Sequence, residues 1–176
     1  ALGLVKQTQE GYKPTVAGLL LIGRERRIGH LLPTFGAVFQ VLSGTDVLVN
    51  DEIKLPLLGS FEDLLLRFRA RNSEKEFEDG LIRVPVPEFS ERAFREALVN
   101  AFVHRDYSVY GVVSVCVTDE GISITSPGGF VRGVSLGNLL TVEPRGRNPL
   151  LASIFKRIGL AEKTGRGIDR IFEGSA

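Results

Sequence analysis

An α+β layered sandwich is the fold class that the sequence predicts, and three observations carry it. Strand-like and helix-like segments are mixed rather than strictly alternating, which argues against a doubly wound parallel sheet. Residues 111–118 and 122–125, joined by Asp119-Glu120-Gly121, read as a β-hairpin. Between Glu91 and His104, helical periodicity gathers Phe94, Ala97, Leu98, Ala101 and Phe102 into an apolar stripe that can seat a helix on a sheet. The expected architecture is a two-layer α/β sandwich with a mostly antiparallel mixed sheet and helices on one face.

The elements follow in order. A helix is expected from about Thr15 to Ile22 after Pro14, ended by Gly23 and the charged run Arg24-Glu25-Arg26-Arg27. Phe35 to Leu42 reads as a buried strand between Pro33 and Ser43-Gly44, and Val47 to Leu58 as an irregular extended stretch interrupted by Pro56. Ser60 is the expected cap of a helix in which Phe61, Leu64, Leu65 and Phe68 recur at helical spacing. Glu76 to Val86 has extended character, with Asp79-Gly80 as its turn and Pro85 and Pro87 as its stop. Ser90 is the N-cap expected for the central helix, with Glu91 just inside. After the hairpin, Asn148-Pro149 is a helix start by N-cap and first-turn proline, and Gly159 is its end.

Composition narrows the function classes. A chain of 176 residues with 43% hydrophobic content has ample material for a core. The longest apolar run, Val16 to Ile22, is far below the roughly 18 residues of a membrane span, and the first residues lack the pattern of a signal peptide. A soluble, cytoplasmic location without membrane partners is the expectation. Cys116 is the single cysteine, so no internal disulfide forms, and with only His30 and His104 there is no dense metal-ligand cluster. Net charge is +1, unevenly spread. Residues 131–176 hold eight Lys and Arg against four Asp and Glu, a net of +4, which leaves −3 for residues 1–130. A basic C-terminal quarter suits phosphate groups of a nucleotide or a nucleic acid, or is simply a solvated face.

Three polar residues in the central helix are the main candidates for chemistry. Glu96, Asn100 and His104 recur every four residues and lie along one helical line, distinct from the apolar stripe. The alternative reading is a solvated helix face. Two glycine-bearing segments follow: Ser126-Pro127-Gly128-Gly129 at a strand exit, and Gly165-Arg166-Gly167 opening what reads as a last helix. Glycines at such points let backbone N–H groups approach an anion, although ordinary turn chemistry is the commoner explanation for either segment alone. Arg145 and Arg147 are candidate phosphate partners because guanidinium forks match phosphate oxygens.

The order of these pieces resembles the GHKL ATPase superfamily, which includes gyrase and sensor histidine kinases. The resemblance implies that Asn100 holds magnesium on the nucleotide phosphates, that Glu96 is the general base in a hydrolysing member, and that Gly165 and Gly167 lie near the phosphates. Longer phrases are shared with a narrower group: Pro14-Thr-Val-Ala-Gly-Leu-Leu-Leu-Ile-Gly23, Arg95 to Ser108, Ser126 to Gly129, Arg147 to Ala152, and Gly165 to Ile171. These resemble the bacterial and archaeal family of transcriptional regulators and RecG-related ATP-dependent helicases, in which a Schlafen-like AlbA-type domain precedes a GHKL-like region. The resemblance implies a piece of a longer protein, with residues 1–88 as an α/β segment packing on or completing the sandwich and 89–176 as the GHKL-like nucleotide-binding region.

The function implied is a divergent regulatory domain that binds ATP, with hydrolysis left open, takes ATP and magnesium as cofactors, reaches DNA through other domains and is open to homodimerisation. Two departures qualify it. The adenine-recognising Asp-x-Gly of nucleotide-binding relatives is replaced by Ser126-Pro127-Gly128, a neutral hydroxyl in place of a carboxylate. The helicase label also lacks support, since no G-x-x-x-x-G-K-[ST] phosphate loop occurs. A degenerate scaffold or dimerisation domain is the alternative reading, and direct nucleic-acid binding through the basic C-terminal quarter is the third.

Overall fold

A computed structural model describes residues 2–79, 81–129, 131, 133–138 and 146–161. It opens with a small hairpin, β1 (Val5–Thr8) and β2 (Gly11–Pro14), followed by helices α1 (Val16–Ile22) and α2 (Glu25–Leu31). Strands β3 (Ala37–Ser43) and β4 (Asp46–Ile53) lead to α3 (Leu57–Arg71). A second hairpin, β5 (Glu74–Asp79) and β6 (Ile82–Pro87), precedes α4 (Glu91–His104). The hairpin β7 (Val113–Thr118) and β8 (Gly121–Thr125) comes next, and after a short 3₁₀ turn the described part ends with α5 (Pro149–Arg157).

The central sheet has the order β4-β3-β7-β8. Its two outer pairings are antiparallel, while β3 and β7 run parallel in the middle, with Ala37 opposite Val113 and Phe39 opposite Val115. Side chains alternate across a strand, so this register collects Ala37, Phe39, Val41, Ile53, Val113, Val115, Ile122 and Ile124 on one face. The opposite face carries Gln40, Asn50, Ser114 and Ser123. Helices cover the apolar face, where Leu64, Phe68, Phe94, Leu98, Phe102, Leu151 and Phe155 complete the core. This is the two-layer α+β sandwich expected from the sequence, with the sheet's inner pairing joining strands more than seventy residues apart.

Local sequence chemistry explains most element boundaries. Thr15 caps α1 through its hydroxyl, which accepts from Gly18 N at 3.1 Å, and Ser90 caps α4 by accepting from Ala93 N at 3.3 Å. Gly18 also permits a close crossing, since a Cβ there would stand 2.1 Å from the Leu4 carbonyl oxygen. Gly159 follows α5 with φ +78, a helix stop that favours glycine.

Several expectations change. The charged run after Gly23 does not merely end a helix: it forms α2, anchored by buried Ile28. Helix α3 begins at Leu57, one turn before Ser60, because Pro56 stops the preceding strand and presets the helix entry. Ser60 is then a buried residue inside the helix, its hydroxyl donating to the Leu55 carbonyl at 2.8 Å. The turn glycine Gly80 lies outside the described residues, as do Arg145, Gly165 and Gly167.

Candidate functional site

Helix α4 is apolar over more of its circumference than the sequence stripe implied. Val99 and Val103 are buried beside Phe94, Leu98, Ala101 and Phe102, so the helix is gripped by the sheet on one side and by neighbouring helices on the others. Of its unburied residues, Ala93, Ala97, Asn100 and His104 lie along one strip, while Glu91, Arg92, Arg95 and Glu96 lie outside it. That strip forms one wall of a cleft of about 790 Å³ between α4 and the β7–β8 hairpin. Ile122 and Ile124, on the helix-facing side of β8, form the opposite wall. The stacked rings of Phe68 and Phe94, 4.1 Å apart between centroids, sit at its apolar end beside Phe89. Polar groups at its rim are Glu88, Ser90, Glu120 and Ser126.

Asn72 fixes the Phe89 end. Its amide donates to the Phe89 carbonyl and its carbonyl accepts from Phe89 N, both at 2.9 Å, joining the end of α3 to the entry of α4. The hairpin tip is held from another side: the Asp119 carboxylate accepts from Gly44 N at 3.1 Å and Ser43 Oγ at 3.3 Å. Asp119, a residue of the hairpin turn, is thus also a tether between two turns.

The sequence candidates separate in space. Asn100 and Ser126, taken from two different motifs, both border the cleft, and His104 stands with them. Glu96 is half-buried, interacts with neighbouring groups, and is not among the residues bordering the cleft. Helical geometry explains this, because four residues advance a helix by about 40° beyond a full turn, and Glu96 lies two such steps from His104. Gly128 and Gly129 also stay out of the cleft lining. Gly128 packs instead against the end of α4: its φ is +108, and a Cβ there would stand 2.8 Å from Asp106 Cβ. Asp106 N donates to the Pro127 carbonyl at 2.8 Å, which locks the same turn.

Arg147 completes that lock. Nη1 donates to Asp106 Oδ2 at 2.5 Å and Nη2 to the Gly129 carbonyl at 3.0 Å, while Nε is buried without a partner among the described residues. Ser108 hydroxyl and backbone donors, with the Arg147 charge behind them, hold the Asp106 carboxyl below its ordinary value. Next to it, Asn148 occupies the position before α5 but its side chain does not cap that helix. It donates to the Val103 and Arg105 carbonyls, each at 2.8 Å, closing the C-terminal end of α4. The His104 imidazole is pushed below its ordinary value, first by loss of water around the ring and then by the Arg147 charge, although the residue keeps an exposed edge. It is therefore neutral near pH 7.

Arg105 has a structural place. It is completely buried, donates from Nη2 to the Thr34 and Gly111 carbonyls, each at 2.5 Å, and lies 4.7 Å from the centre of the Tyr107 ring. Thr34 precedes β3 and Gly111 precedes β7, so one guanidinium ties together the starts of the two central parallel strands. Sequence reasoning missed Phe68, Phe89, Ile122 and Ile124 as cleft residues. Strand alternation in the hairpin was the signal for the two isoleucines; nothing local marked the two phenylalanines.

Residues 111–176 match a family model described as "Putative ATP-dependent DNA helicase recG C-terminal". The match takes in the β7–β8 hairpin, the Ser126 turn, Arg147 and α5, while α4 precedes it. Among solved structures, the chain is similar to the DIP2311 protein of Corynebacterium diphtheriae at 27% identity and a TM-score of 0.80. The likeness covers 98% of this chain, including its N-terminal half, but only 34% of that protein, so the chain spans about a third of its relative. Comparison with curated proteins returned no match. Part of the chain is thus similar to a RecG-related, ATPase-like region. Among the described residues no helix is long and apolar enough to cross a membrane.

Proposed function

We propose that the cleft between α4 and the β7–β8 hairpin binds a nucleotide, as part of a GHKL-like regulatory region in a longer, DNA-associated protein. The observation that carries this reading is that Asn100 and Ser126, from separate sequence motifs, border one cleft with an apolar end formed by Phe68, Phe89 and Phe94. A planar base suits the apolar end and the two isoleucines, and the Ser126 hydroxyl offers a neutral hydrogen-bonding group for its edge. The Asn100 carboxamide oxygen is the group that would hold magnesium. Among the described residues no three His, Cys, Asp or Glu side chains gather to hold a metal alone, so phosphate and water oxygens would supply the other ligands. Magnesium bound there would neutralise phosphate charge. Arg147, whose Nε is unpartnered among the described residues, and the neutral imidazole of His104 offer hydrogen-bonding groups at the same end of α4.

Binding, rather than hydrolysis, is what this arrangement supports. A general-base role for Glu96 requires its carboxylate to reach the cleft from the flank of α4, and Glu96→Gln tests it: turnover is lost while binding persists.

The central experiment is magnesium-dependent ATP binding by calorimetry and thermal shift. Nucleotide at a hundredfold excess over its dissociation constant adds about 2.7 kcal/mol of stability, a rise of several degrees in Tm. Asn100→Ala is expected to abolish it. Unchanged binding in that variant refutes the role of Asn100.

A scaffold reading draws on Gly128 and Arg147, both engaged in holding the turn to α4. It predicts no change in Tm at millimolar ATP.

A further inference from the structure

A groove unrelated to the cleft lies on α2. It has a volume of about 580 Å³ and is lined by Arg24, Arg26, Arg27 and His30. All four side chains are exposed, and the lining contains no carboxylate. Glu25 is the single acid on the helix and does not border the groove.

Three features make this more than a solvated basic run. Ile28, 1% exposed, anchors the middle of α2 in the core, so the cations project from a fixed element. Three arginines elsewhere are committed to carboxylates: Arg67 to Asp63 and Asp51, Arg69 to Glu91, Arg147 to Asp106. Among the described residues no ion pair engages Arg24, Arg26 or Arg27. These three also stand in the part of the chain, residues 1–130, whose net charge is −3. An anion seated among them would be attracted by all three charges.

We propose that the α2 groove binds the phosphodiester backbone of duplex nucleic acid. Arg24, Arg26, Arg27 and His30 border the groove over six residue steps, about 9 Å of helix axis. That length matches two to three phosphates of one strand, since each strand of duplex DNA carries one charge per about 3.4 Å of axis. Guanidinium forks match phosphate oxygens, and the lining offers no Phe, Tyr or Trp for stacking on unpaired bases. A lipid surface fits less well, because a helix lying on a membrane presents a continuous apolar face whereas this groove is concave and lined by three arginines and an imidazole. The site is distinct from the C-terminal basic quarter considered from the sequence.

The test uses a fluorescein-labelled 20-base-pair duplex, titrated by anisotropy between 50 and 200 mM NaCl. Wild-type affinity is expected to fall linearly on a log–log plot against salt. The R24A/R26A/R27A variant is expected to bind more weakly and with a slope shallower by about 2.7, at about 0.9 for each phosphate no longer neutralised. Arg26→Ala alone, the smaller perturbation, is expected to reduce the slope by about 0.9. Wild-type Tm and unchanged nucleotide-induced stabilisation in the variants separate this result from any failure of the cleft reading. Identical slopes and affinities in wild type and variants overturn the proposal. So do an absence of duplex binding at 50 mM NaCl, complete competition by inorganic phosphate at matched ionic strength, or loss of binding to phosphatidylserine vesicles with duplex binding unaffected.

Discussion

Replacing Gly128 by alanine tests whether the Ser126–Gly129 turn is held by contact with α4. At φ +108 the backbone lies where side chains rarely go, which costs about 1–3 kcal/mol for a residue with a Cβ. The added atom would also stand 2.8 Å from Asp106 Cβ and 3.3 Å from Asp106 N. Neither atom is the far end of a flexible side chain, so the turn or the end of α4 must move, at about 1–3 kcal/mol more. A combined loss of about 3 kcal/mol lowers Tm by about 6–12 °C in a chain of this size. Gly129→Ala is the control. Gly129 has no positive φ, and nothing lies within 4 Å of its ideal Cβ. That neighbouring substitution is expected to leave Tm within about 2 °C, or raise it slightly by restricting the unfolded chain. Both variants would be melted by circular dichroism at one pH and salt concentration. Equal melting temperatures would show that the turn does not press on Asp106, and the account of how Ser126 is positioned would fall with it.

Other perturbations read neighbouring parts of the same assembly. Asn148→Ala removes two hydrogen bonds to the carbonyls ending α4 and is expected to cost about 1–3 kcal/mol in urea unfolding; a loss below about 0.5 kcal/mol argues against that closure. Arg105→Ala strips the shared donor from the Thr34 and Gly111 carbonyls and leaves a cavity, for an expected loss of about 3–5 kcal/mol, whereas a wild-type midpoint would mean that the two strand starts hold without it. His104 gives a pH signature. Its folded value lies below the unfolded 6.5, so the unfolded chain binds the extra proton first. Its contribution is fully present above about pH 6.5 and is lost as pH falls from there toward the folded value. His104→Gln is expected to flatten the decline of Tm between about pH 7.5 and 5, and an identical decline in both proteins would remove His104 as its source.

Much of the architecture was legible because it is decided within a turn or two of chain. Thr15 and Ser90 accept from backbone donors three residues ahead, Gly159 ends α5, and Asp119-Glu120-Gly121 turns the hairpin. The misread segments are those where a neighbouring element intervenes. Ser60 has the chemistry of a cap, yet Pro56 starts the helix earlier and leaves Ser60 in its first turns. Asn148 likewise has the right type and position for a cap, but open carbonyls on α4 lie within reach of its amide.

The candidate site divides along the same line. The sequence by itself determined the residue types that could act, Asn100 and Ser126 among them, and the periodicity that keeps α4 helical with a polar line. It also determined that the chain is a mixed sandwich, because apolar spacing of 3.6 and of 2 can be read locally. Only the tertiary structure decided which part of the polar line faces the cleft. The β7–β8 hairpin stands opposite the strip through Asn100 and His104, and Glu96 falls outside that strip. Only it decided that β3 lies parallel to β7, a pairing between Ala37 and Val113 that no short window contains. The same holds for Gly128 and Arg147, whose residue types suggested an approach to phosphate. Their nearest partner is Asp106, brought there by the packing of the turn against the end of α4.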